Sequence, residues 1–173
     1  MKKQINVLFL VLITSLTFGQ EKLDVFDIAR KGTIEQAKEK LRENPNAFNV
    51  VNNEGYSPLT LACYRENNEV AKLLIEKGSD INGISKMGTS LMAAIVKGNN
   101  EMVKLFIDKK ANLESTDSNG ITALIYAVQF QNKVALKLLI DNKADKTHKD
   151  KAGKTAFEYA VFAGNEEIIN LLK

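Results

Sequence analysis

The sequence predicts an all-α solenoid, about five helix-turn-helix repeats joined by hairpin-like loops and preceded by a signal peptide. Three rows of residues carry that prediction. The first is a hydroxyl residue, a large apolar residue two positions on and an alanine three after that, in four copies: Ser57-Leu59-Ala62, Thr89-Leu91-Ala94, Thr122-Leu124-Ala127 and Thr155-Phe157-Ala160. The second is a pair of apolar residues at a matching offset, Leu73-Leu74, Leu105-Phe106, Leu138-Leu139 and Leu171-Leu172. The third is polar, with Asn67, Asn99, Asn132 and Asn165 each just ahead of an apolar-periodic run. Successive copies lie 32 or 33 residues apart, too long a step for a coiled coil, so each copy is one supersecondary unit stacked on the next.

Taken in order, the chain opens with Lys2, Lys3 and a mostly apolar run from Val7 to Phe18, followed by Gly19 and the polar Gln20-Glu21-Lys22. A membrane-spanning helix needs about 20 apolar residues. The shorter run therefore reads as the apolar region of a secretory signal peptide over residues 1–19, with cleavage near Gly19. An N-terminal membrane anchor is the alternative. The repeat domain is expected over residues 24–173, in units of about 24–50, 51–83, 84–115, 116–148 and 149–173.

In the first of these units Thr33 and Gln36 have the spacing of a capping box, as do Thr155 and Glu158 in the last. In the later units the hydroxyl residue is the N-cap of a first helix, and Pro58 stands at a first helical position, where its missing N–H is harmless. The asparagine row supplies N-caps for a second helix in each unit. That second helix buries an i, i+3, i+4 face, such as Val70, Leu73 and Leu74, or Ala135, Leu138 and Leu139. Between units, Asp117-Ser118-Asn119-Gly120 and Asp150-Lys151-Ala152-Gly153 are turn-forming stretches that read as projecting tips.

These residues carry a family resemblance. Ser57-Pro58-Leu59-Thr60-Leu61-Ala62, followed by Leu73-Leu74-Ile75-Glu76-Lys77-Gly78-Ser79-Asp80, resembles an ankyrin repeat, whose unit of about 33 residues has the signature T-P-L-H-x-A. The three later copies match in phase, and the segments Val25 to Thr33 and Leu41 to Pro45 are similar to the opening repeat common in that family. The departures are specific. The histidine of the signature is replaced by Thr60, Met92, Ile125 and Glu158. Met87 stands where a hairpin glycine is expected, and Lys110 and Lys143 stand where a helix-ending glycine would accept a left-handed backbone.

Charge and chemistry narrow the function. The formal net charge of +3 falls to +1 when residues 1–19, with their two lysines and no acid, are removed. That balance argues against nucleic-acid binding, which needs a concentrated basic surface. The one histidine, His148, falls in an inter-repeat loop and reads as solvated, while the one cysteine, Cys63, follows Ala62 on the packed side of a helix and reads as core. Glu35, Glu39, Glu43, Glu69, Glu76 and Glu101 sit among lysines on outward helix faces and read as solvated surface. With no nucleophile, base and orienting group in combination, no enzyme is expected, and no catalytic residue, metal site or cofactor is assigned.

A repeat stack without chemistry presents an extended concave surface for binding. The resemblance implies that hairpin tips and the exposed side of the first helices build it. The candidate protein-binding residues are Tyr56, Tyr64, Arg65, Lys86, Val96, Lys97, Ile121, Gln129, Phe130, Lys154 and Phe162, with Glu54 and Asn119 among the tip positions. Tyr64, Val96, Phe130 and Phe162 are expected as an outward apolar stripe, and exposed apolar clusters mark interaction sites. Arg65, Lys86, Lys97, Lys151 and Lys154 form a basic rim that favours a partner with an acidic surface.

The expected product is a periplasmic or secreted protein, monomeric once free of its leader, that binds a protein and neither nucleic acid nor membrane. The resemblance implies an accessory role to an envelope enzyme. An immunity protein or inhibitor against a secreted toxin, or an effector binding a host protein, are the alternatives. Ile168, Ile169 and Leu172 are expected to leave an apolar edge at the end of the stack, where weak association would occur.

Overall fold

A computed structural model describes residues 23–173, and among these residues ten α-helices fall into five pairs. They are α1 (Val25–Lys31) with α2 (Ile34–Glu43), α3 (Pro58–Tyr64) with α4 (Asn68–Glu76), α5 (Ser90–Val96) with α6 (Asn100–Asp108), α7 (Ala123–Gln129) with α8 (Lys133–Asp141), and α9 (Ala156–Ala163) with α10 (Glu166–Leu172). The signal-peptide reading of residues 1–19 lies outside the described residues. No described helix is long and apolar enough to cross a membrane.

The first helices form one continuous layer, α1 against α3, α3 against α5, α5 against α7 and α7 against α9. Second helices lie behind them, with α2 on α4 and α6 on α8. Alanine makes the first layer tight. Ala29, Ala62, Ala94, Ala127 and Ala160 are all fully buried, one per repeat, so neighbouring helices approach with only a methyl between them. Leu74, Phe106 and Leu139 are fully buried at one matching position of the second helices, each large side chain contributing about 1.5–3 kcal/mol of burial. Burial is thus divided among repeats, as in any quasi-one-dimensional stack.

The caps follow the sequence closely. Ser57, Thr89, Thr122 and Thr155 each accept from the backbone N–H three residues on. Thr33 with Gln36 and Thr155 with Glu158 form complete capping boxes. In α5 the third residue is Met92, whose thioether receives the Thr89 N–H at 3.4 Å. Among the asparagines, Asn99, Asn132 and Asn165 cap α6, α8 and α10 as expected.

Asn67 does not cap α4. Its amide instead donates back to the preceding repeat, to the carbonyls of Gly32 at 2.9 Å, Ala29 at 3.3 Å and Ile28 at 3.4 Å. The Ile28 carbonyl already accepts from the Gly32 N–H, so the Asn67 amide adds a second donor there and serves the Ala29 and Gly32 carbonyls beyond it; Asn132 both donates back to Ile95 and caps α8.

Three further expectations change. Met87 is not left-handed; the glycine function moves one place to Gly88 at φ 95°, and Ser85 and Gly88 exchange both backbone hydrogen bonds across a two-residue tip. This hairpin is one residue shorter than the others, which accounts for the single 32-residue step. His148 is not free in solvent, because its Nε2–H donates to the Gly120 carbonyl at 2.8 Å and ties two neighbouring tips together. The apolar edge at the end of the stack is not on α10, where Ile168 and Leu172 are buried. It is on α9: Phe157 is 38% and Val161 51% exposed. The equivalent residues of earlier repeats, Leu59, Leu91 and Leu124 and then Cys63, Ile95 and Val128, are covered by the next helix pair.

Lys110 and Lys143 are left-handed at φ 63° and 69°, and so are Glu66 and Gln131 at 60° and 53°. Gly78, Gly98 and Gly164 occupy the matching positions elsewhere. Cys63 is fully buried, and burial pushes its thiol pKa up to about 12. It is a core residue, with negligible thiolate at neutral pH.

Candidate functional site

Hairpin tips are positioned by carboxylates and amides acting on the chain just ahead of each first helix. Asp117 Oδ1 accepts from the N–H groups of Asn119 and Ile121 at 2.8 and 2.9 Å, while the Tyr126 hydroxyl donates to Oδ2 at 3.0 Å. Asp150 repeats the pattern with Ala152, Lys154 and the Tyr159 hydroxyl, at 2.9, 2.9 and 2.5 Å. Each of these tips is therefore bolted to its own first helix. Asn52 organises the earlier tip through the N–H groups of Glu54 and Tyr56.

The bolts are electrostatically marked. Donation from Tyr159, then from the Lys154 N–H, holds the Asp150 carboxyl below its usual range. Burial, reinforced by the hydrogen bond to Asp117, raises the Tyr126 phenol to about 12. The hydrogen bond to Asp150 raises the Tyr159 phenol in the same direction. Both tyrosines stay protonated donors across the physiological range. Neighbouring tips are also joined, the Lys151 N–H to the Asn119 carbonyl at 3.0 Å and the Lys151 ammonium to the Ser118 carbonyl at 2.8 Å.

Where tips meet first helices, the second, third and fourth repeats, with Arg30 from the first, line a hollow of about 610 Å³. Seven of the eleven residues expected from sequence line it: Tyr56, Tyr64, Arg65, Val96, Ile121, Gln129 and Phe130. Tyr64 and Phe130 are 42% and 50% exposed, whereas Val96, Tyr56 and Ile121 are partly buried and form walls. Lys86 and Lys97 are exposed outside the lining; Lys154 and Phe162 belong to the last repeat, farther along the stack.

The expected stripe is corrected in one place. Phe130 is the C-cap of α7, the position held by Arg65 and Lys97 in α3 and α5. The true partners of Tyr64 are Val96, Gln129 and Phe162, so the row is interrupted by a glutamine and its middle residue is partly covered. Phe130 fills the gap from one residue farther on, its ring stacked on Tyr126 at 6.0 Å between centroids. Phe162, at 87%, is the most exposed large apolar residue described.

Cations sit on the rings. The Lys97 ammonium lies 5.6 Å from the Tyr64 ring centroid, and that of Lys154 lies 5.6 Å from both Tyr159 and Phe162. Lys97 also pairs with Glu66 at 3.7 Å. Such exposed contacts are weak, about 0.5–1 kcal/mol, so the lysines can exchange them for a partner's groups at little cost. Sequence reasoning missed Arg30, Met87, Ala93, Asp117 and Tyr126 as lining residues. The signal was present for Ala93, which stands where the other copies carry Leu61, Tyr126 and Tyr159.

The arrangement offers shape, rings and cations, and among the described residues no group of three or more histidine, cysteine or carboxylate side chains could hold a metal ion. A family model described as "Ankyrin repeats (3 copies)" matches residues 25–117 and again residues 91–173. The chain is 31% identical over 102 residues to Ankyrin repeat and SAM domain-containing protein 6 of Rattus norvegicus. It is 34% identical over 102 residues to the protein of the same name from Mus musculus. Each match covers 58% of this chain and 12% of the relative, so the likeness spans about an eighth of those proteins.

Proposed function

The chain belongs to the ankyrin-repeat family, a family of protein interaction scaffolds, and from that premise we propose that it is an exported module that grips a protein partner in its concave face and catalyses nothing. One observation carries the reading: tips and first helices of successive repeats form a single ring-lined hollow. Its lining includes tyrosine, phenylalanine and arginine, the types enriched at the centres of protein–protein interfaces. Tyrosine and arginine are the residue types enriched at binding hot spots. The exposed cations Arg65, Lys86, Lys97 and Lys154 around the hollow and its continuation favour an acidic partner surface.

Export is proposed from the Lys2-Lys3 start and the short apolar run to Phe18, with the mature protein in the periplasm or medium. The proposed role there is that of an accessory to an envelope enzyme. The test is affinity capture from an envelope extract, comparing the protein with a variant carrying Tyr64→Ala, Phe130→Ala and Phe162→Ala. The wild type is expected to retain a protein that the triple variant loses. Equal capture by both removes the site assignment.

A further inference from the structure

The hollow has a cause in the repeat pattern. Counting four residues on from each hydroxyl cap gives Leu61, Ala93, Tyr126 and Tyr159, so the third repeat alone places a bare methyl there. The hairpin leading into the same repeat is the short one, closed by Ser85 and Gly88, where the other three run over five residues. Two truncations fall in one repeat at one level of the stack. Ala93 and Met87 border the space they leave, with Leu61 and Tyr64 contributed by the second repeat and Ile121, Tyr126 and Phe130 by the fourth. A side chain is missing from a row that supplies one in every other copy.

The charges around that gap are uneven. Asp117 lines it, but its carboxylate already accepts from Asn119, Ile121 and Tyr126. Arg30 lines it and pairs with Asp27 at 3.4 Å. Among the described residues the lining charges Arg65 and Glu54 form no ion pair, and neither does Lys86, which stands outside the lining next to Met87. The free charges of the lining balance, and Lys86 beside it tips the surroundings positive.

We propose that the gap at Ala93 receives one bulky aromatic or aliphatic side chain from an extended segment of the partner, and that a carboxylate next to that side chain pairs with Arg65. The proposal rests on the concave-face reading above and gives the partner a chemistry: an acidic segment with a single large apolar anchor. The anchor replaces the side chain that the third repeat lacks, so it contacts Leu61, Tyr126 and Phe130 as an internal residue would. Such centrally placed, desolvated anchors dominate binding energy at interfaces.

The experiment is selection of a display library of random short peptides on the purified protein, followed by binding of the winners to variants. Winners are expected to share one Trp, Phe, Leu or Met flanked by Asp or Glu. Ala93→Leu introduces the residue that the second repeat already carries and is expected to weaken them about tenfold or more. Arg65→Glu, on the exposed C-cap of α3, is expected to weaken acidic winners and to favour basic ones; it keeps the test decisive should Ala93→Leu lower the melting temperature. Winners that bind Ala93→Leu and Arg65→Glu undiminished but lose the triple variant at Tyr64, Phe130 and Phe162 overturn the anchor proposal and leave the concave-face reading standing. Winners indifferent to all of these variants, or no enrichment at all, overturn both.

Discussion

Single residues decide whether this surface is for binding or for packing, and their exposure separates the two roles. Phe162 stands almost wholly in solvent, whereas Phe106 is fully buried between repeats. Phe162→Ala is accordingly expected to change stability by less than about 0.5 kcal/mol, and Phe106→Ala to cost about 3–5 kcal/mol, both read by urea unfolding. A loss from Phe162→Ala as large as that from Phe106→Ala would place its ring in the core. Backbone sign is the second residue-level effect. Lys110, Lys143, Glu66 and Gln131 hold a left-handed conformation that glycine holds at equivalent positions. Replacing Lys110 or Lys143 with Gly is expected to stabilise the protein by about 1 kcal/mol each. No gain from either would mean that local contacts of the lysine offset the strain. The two lysines were legible as strained from the resemblance, which places a glycine there; Glu66 and Gln131 went unread although Gly98 and Gly164 hold the matching positions in the other repeats.

Hairpins and their anchors are the elements that shape the hollow. The short tip depends on Gly88, where an added Cβ would lie 2.2 Å from the Met92 sulfur at a φ of 95°. Gly88→Ala is therefore expected to lower the melting temperature and to weaken binding through the displaced tip, while Gly153→Ala, with nothing within 4 Å of the added carbon, carries only the backbone penalty. Equal effects of the two would remove the short hairpin as a cause of the hollow. The last of the longer tips depends on the bolt from Tyr159 to Asp150, which makes it sensitive to acid. Because the folded Asp150 carboxyl titrates below its ordinary 3.8, its contribution is present above that value and is lost as pH falls through the lowered one. Asp150→Asn is expected to flatten the acid limb of the stability profile below about pH 4. An unchanged acid limb would show that the bolt adds nothing to folding. The turns themselves were readable from Asp117 and Asp150 ahead of Gly120 and Gly153. The tyrosines that complete the bolts went unread although Tyr126 and Tyr159 each follow their aspartate by nine residues, because only the last two repeats carry the pair.

For the whole molecule, the stack was legible because its rows repeat: alanines at the helix contacts, leucines between layers, hydroxyls and asparagines at helix starts. What the rows could not convey is where they are broken. Asn67 occupies a cap position but serves the neighbouring repeat; Phe130 is exposed but one residue out of register with Tyr64; Ala93 matters through what it lacks. The proposed binding face arises from these exceptions laid on a regular scaffold, which is why seven of the expected residues converge and the floor of the hollow went unread. The most direct test of that claim is hydrogen exchange of the full chain with and without its captured partner. Protection is expected in the tips and first helices around residues 54–65, 86–97 and 119–130, with the second helices α4, α6 and α8 unchanged. Protection confined to those second helices would contradict it.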